Sequence, residues 1–143
     1  MKTNHILRLV LAAALGAASA GVFAQVAVVV NPKSPLTALT ADQVSGIFLG
    51  KSNTLPSGGT ALPTDLPDSA PAHDLFYTKV TGKSSAQVKA AWSRLVFSGK
   101  ATPPKELATA ADVKKFVAAN PDAIGYIEKS AVDSSVKVVF SAD

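Results

Sequence analysis

The sequence predicts an α/β domain in which strands alternate with helices. Three observations carry this expectation. Residues 26 to 30 (V-A-V-V-V) form a continuous apolar, β-branched run, the pattern of a strand buried on both faces of a helix-covered sheet. Two Ser/Thr-x-x-Gln boxes, Thr40 to Gln43 and Ser84 to Gln87, open segments whose apolar residues recur at helical spacing. Two more strand-like runs, 123 to 127 (A-I-G-Y-I) and 136 to 140 (V-K-V-V-F), follow the last helical segment.

The elements follow in order. The first strand ends at Asn31-Pro32. Thr40 then caps a short helix over about 41 to 49, with Leu39 and Val44 placed as a hydrophobic staple. Val44, Ile47 and Phe48 share its inner face, and Gly50 suits the left-handed stop. Residues 51 to 63 are rich in Ser, Asn, Pro and Gly and read as a surface loop, with Gly58-Gly59 as a plain turn. A short strand over 60 to 66 is weakly indicated, because Pro63 interrupts it. Asp68-Ser69-Ala70-Pro71 reads as the start of a helix over 70 to 81, with Ala72, Phe76 and Val80 inward and Gly82 at its end. The helix from Ser84 turns Val88, Ala91, Trp92, Leu95 and Val96 inward and stops at Gly99. Pro103-Pro104 forces an extended turn. Thr109 caps the next helix, with Val113, Phe116 and Val117 facing the core, and Asn120-Pro121 stops it.

Residues 1 to 24 have the three parts of a cleavable export signal: basic Lys2 and Arg8, an apolar run from Leu9 to Ala20, and small residues before Gln25. The apolar run is short of the roughly 20 residues that a membrane span requires, and no later stretch is apolar enough to span after cleavage. Residues 25 to 143 make a single domain by size. Cleavage removes Lys2 and Arg8 and none of the 10 acids, so the charge of +4 falls to +2. No basic run longer than Lys114-Lys115 remains, which argues against nucleic acid as a partner. With no cysteine, disulfides, thiolate metal sites and cysteine nucleophiles are excluded. One histidine after residue 24, His73, excludes a multi-histidine zinc site.

Asp65, Asp68, Ser69, His73 and Asp74 form the densest polar cluster. Ser69 and His73 stand four apart, so a helix can bring them to one face. No orienting acid or oxyanion hole is visible for a nucleophile, and a capping serine beside a solvent-facing histidine accounts for the pair. The same helix start presents N–H groups and a partial positive charge to an anion, while Asp65, Asp68 and Asp74 oppose one. Lys33, Lys51, Lys100 and Lys105 read as solvated charges, and Trp92 as a core residue. Tyr126 is ambiguous.

Five segments in this order resemble a known family: V-V-V-N-P-K at 28 to 33, L-T-A-D-Q-V-S-G-I-F-L-G-K at 39 to 51, F-Y-T-K-V-T-G-K at 76 to 83, W-S-R-L-V-F-S-G-K at 92 to 100 and N-P-D-A-I-G-Y-I at 120 to 127. Together they look like small proteobacterial proteins classed with the phosphate-binding components of ABC transporters, in the type 2 periplasmic-binding-protein group. The resemblance implies one mixed sheet covered by helices, like a single lobe of a two-lobed binding protein whose lobes close on an anion. It places Ser69 in the anion-binding turn, Ala70 where Ser is common and His73 where Arg is common. The ligand-binding candidates are thus Asp68, Ser69, Ala70 and His73.

The resulting expectation is a periplasmic, non-enzymatic protein without cofactor that binds phosphate or a related oxyanion. Its partners would be an ABC-transporter permease or a second copy of itself. The alternative is a single-lobe interaction protein that has lost ligand binding.

Overall fold

The computed structural model describes residues 25–142; the expected export signal lies outside them. Nine strands and α-helices follow one another among these residues: β1 (Val26–Val30), α1 (Ala41–Phe48), β2 (Leu62–Asp65), α2 (Pro71–Phe76), α3 (Ser85–Phe97), β3 (Lys105–Glu106), α4 (Ala110–Ala119), β4 (Ala123–Glu128) and β5 (Lys137–Ala142). The strands form one mixed sheet in the order β3-β2-β4-β1-β5. β1 runs antiparallel to both β4 and β5, whereas β2 is parallel to β4 and β3. The sequence-based fold class, a mixed sheet covered by helices, is the one observed.

β1 is central because every one of its residues is apolar. All five are at most 1% exposed, so helices must cover both faces of the sheet there. Along β4 the side chains alternate. Tyr126 points to the face covered by α1 and α2, where its ring stacks on Phe76 at 4.0 Å and meets Phe48 edge-on. Gly125 points the other way, toward α4. A Cβ there would lie 2.5 Å from Thr64 Oγ1 and 2.7 Å from Val113 Cγ1, so glycine lets the helix sit down on the strand.

The capping boxes form as the sequence indicates. Gln43 N donates to Thr40 Oγ1 at 3.1 Å and Thr40 N to Gln43 Oε1 at 2.9 Å; Ser84 and Gln87 repeat the arrangement. Gly50 has φ +76°, and a Cβ would meet Leu95 Cδ1 at 2.7 Å, so the end of α1 is a close approach as well as a left-handed stop. Trp92 is a core residue, its Nε1 donating to Phe48 O at 2.8 Å.

Three expectations are corrected and one is sharpened. The 70–81 helix is divided: α2 ends at Phe76 and a wider π turn covers Tyr77–Thr81 before Gly82 takes φ +71°. The short strand indicated over 60 to 66 forms as β2 and runs through Pro63, so the loop before it ends sooner than 63. Leu62 N donates to Asp122 O, so alternation turns the Pro63 nitrogen away from β4, and β3 pairs only with Thr64 and Asp65. The missing N–H thus costs no ladder bond. Val96 is 48% exposed rather than buried, because α3 seats on the body through Val88 and Trp92. Lys105 is not merely solvated: it opens β3 and its Nζ lies 5.0 Å over the Phe116 ring.

Thr64 is fully buried and its Oγ1 has no partner among the described residues. Thr64→Val is therefore expected to raise stability by about 1 kcal/mol, since an unpaired buried hydroxyl carries its desolvation penalty. Urea denaturation reads the gain, and a lower midpoint would refute it.

Candidate functional site

The last residue of β2, Asp65, sits at the carboxyl end of a parallel strand. Such ends are where α/β sheets hold ligands. A cleft of about 540 Å³ opens there, between the corner 65–73 and α3. Asp65, Asp68 and His73 line its floor. Val88, Trp92, Val96 and Phe97 of α3 line it as well, together with Pro103, Pro104 and Glu106.

Asp65 anchors the floor. Its Oδ2 accepts from Tyr77 Oη at 2.8 Å and its Oδ1 from Leu66 N at 2.9 Å. Tyr126 Oη also donates to Oδ1 and accepts from Leu66 N at 3.2 Å. Burial first, and then the Asp65 charge, raise both tyrosines far above their ordinary value near 10. Both phenols therefore remain neutral donors that hold the carboxylate in place.

His73 is 4% exposed, so the expected solvent-facing histidine is in fact buried. Its ring packs against Tyr77 at 4.8 Å. Nδ1 lies 3.0 Å from Ser85 Oγ and 3.8 Å from Asp74 Oδ1. Nε2 lies 3.4 Å from Asp68 Oδ1 and 3.7 Å from Asp65 Oδ1, distances that become ion pairs when the ring is protonated.

The four candidate residues share one corner but not one arrangement. Asp68 reaches His73 while its side chain stays 66% exposed. Ser69 is exposed and does not cap the helix: Ala70 takes the N-cap position and makes no side-chain bond. The turn closes on itself instead, with Ala70 N donating to Pro67 O at 2.9 Å. The serine beside His73 is Ser85, not Ser69. Its hydroxyl donates to Asp74, so toward Nδ1 the oxygen acts as acceptor. A nucleophile gives its proton to the histidine, and this serine gives it to a carboxylate.

Ser85, Tyr77 and Phe97 were missed by sequence reasoning. Ser85 reads there only as the first residue after a cap, and its eleven-residue separation from Asp74 carries no periodic signal. Among the described residues no cluster of His, Asp and Glu is suited to hold a metal ion.

No family model matches the chain, and no curated protein matches it. Solved structures do. A phosphate ABC transporter substrate-binding protein of Clostridium perfringens, with phosphate bound, superposes with TM-score 0.66 at 24% identity, over 81% of this chain and 45% of its own length. An ABC-type phosphate transport receptor of Vibrio cholerae gives 0.64 at 22%, over 81% and 46%. PstS of Borrelia burgdorferi gives 0.60 at 12%, over 81% and 47%. The chain thus spans less than half the length of each. In fold, the mixed sheet and its helices resemble a single lobe of the phosphate ABC transporter substrate-binding proteins.

Proposed function

We propose that this chain is an exported, non-catalytic binding domain of the solute-binding type, acting in the periplasm as part of a transporter's substrate-binding component. Its ligand is a protonated oxyanion of the phosphate class, held at Asp68, Ser69, Ala70 and His73. The fold it shares with phosphate-binding proteins supports the reading. The observation that carries it is the exposed Asp68 carboxylate beside buried His73 at the cleft floor. A carboxylate only accepts, so a ligand touching it must bring its own O–H. Hydrogen phosphate has one at neutral pH and sulfate has none, and the carboxylates repel sulfate unrelieved. Calorimetry is expected to show phosphate heat that Asp68→Ala reduces at least about tenfold in affinity, on the scale of one charge-assisted hydrogen bond. Sulfate is expected to give none. Absence of phosphate heat at both pH 6 and pH 8 would sink the reading.

A second reading, a docking domain whose cleft receives protein, is favoured by one feature. Phe97 is 96% exposed at the cleft rim, and small-ligand binding gives no reason to keep a phenyl ring in water.

A further inference from the structure

The cleft face is a knob beside a hole. Phe97 projects from the end of α3, with Val96 half-exposed next to it. The hole is the cleft itself, walled by Val88, Trp92, Pro103 and Pro104 and open on the same surface. Charges of both signs line the same cleft. Lys89 of α3 lines the cleft together with the carboxylates Asp65, Asp68 and Glu106.

Where both halves of a contact lie side by side on one face, two copies can close about a two-fold axis, so that residue i of one meets j of the other and j meets i. We propose that the occupant of this cleft is a second copy of the same chain, with each copy's Phe97 seated in its partner's cleft. The proposal rests on the docking reading above and names its partner. In the pair, each Lys89 faces the partner's carboxylates, so the acidic floor attracts rather than repels the other copy. The ring lies against Trp92 and the prolines, an apolar anchor surrounded by polar groups, as hot spots at interface centres are. The cleft volume of about 540 Å³ leaves room for the ring.

Sedimentation equilibrium of the whole chain from micromolar to millimolar concentration tests this. Trp92 is the chain's one tryptophan, so its emission reads cleft occupancy in the same samples. Wild type is expected to dimerise, with emission shifting in step. Phe97→Ser is expected to weaken the dimer at least about 30-fold, the size of a hot-spot truncation. Phe97 is exposed, so this variant keeps its fold, as a thermal melt will show. Lys89→Glu is expected to weaken the dimer, and Lys89→Glu with Asp68→Lys to restore it. A photocrosslinker at position 97 separates the remaining outcomes. Crosslinks to cleft residues of a second copy support the pair. A monomer at all concentrations that crosslinks in periplasmic extract only to another protein overturns self-pairing and leaves the docking reading standing. A monomer with no crosslink at all overturns both. Phosphate calorimetry on the Phe97→Ser variant, whose cleft no partner ring fills, tests the ligand reading separately.

Discussion

Above pH 10 the domain is expected to lose stability at up to about 2.7 kcal/mol per pH unit, about 1.4 from each of its two tyrosines. Tyr77 and Tyr126 are fully buried. Burial and the Asp65 carboxylate that both phenols contact raise their folded values well above 10. In the unfolded chain both titrate near 10. Below that pH both states hold the two protons and the full stability is present. Above it the unfolded chain sheds them while the folded one does not, so unfolding gains ground with every unit. The chain has no other tyrosine, so its tyrosinate absorbance has no exposed background. That band is expected to stay silent until the far-ultraviolet dichroism collapses and then to appear with it. Tyrosinate rising while the dichroism is intact would show that the phenols are not held as described.

Much of the fold is legible in the sequence because it is written locally. The capping boxes at Thr40 and Ser84 place their oxygens within three residues of the N–H groups they serve, and β1 needs only its own apolar run. Other features depend on neighbours far along the chain. Pro63 is tolerated in β2 because β3, some forty residues later, begins one position too late to require its N–H. Val96 obeys helical periodicity yet is exposed, because periodicity predicts a face and not whether a sheet lies beneath it. The site divides in the same way. Asp65, Asp68 and His73 were drawn together by their nearness in sequence. Ser85 and Tyr126 reach them across 12 and 61 residues, separations that leave no local pattern.

The largest single-residue effect is expected at Asp65. Its carboxylate accepts from two phenols and the Leu66 N–H, and its side chain is only 18% exposed. Asp65→Ala leaves the two buried phenols without their acceptor, while the Leu66 N–H keeps Tyr126 Oη; at about 1–3 kcal/mol per group, a loss of about 2–6 kcal/mol is expected. A small domain has only about 5–15 kcal/mol in all, so the variant is expected to be marginal at 37 °C, a temperature near the low edge of ordinary melting ranges. The penalty belongs to the orphaned hydroxyls, so removing them should relieve it. Asp65→Ala combined with Tyr77→Phe and Tyr126→Phe is expected to recover at least about 1 kcal/mol over the sum of the separate losses, the coupling of groups in one network. Urea midpoints measure each variant, and losses that simply add would show that Asp65 does not hold the two rings. Phosphate calorimetry on the same proteins separates anchoring from recognition. An Asp65→Ala protein with an unchanged midpoint and no phosphate heat would make Asp65 a ligand group rather than the anchor of the floor. With the three-way hydrogen bonding seen here, the midpoint is expected to fall, and the cleft floor to be disordered with it.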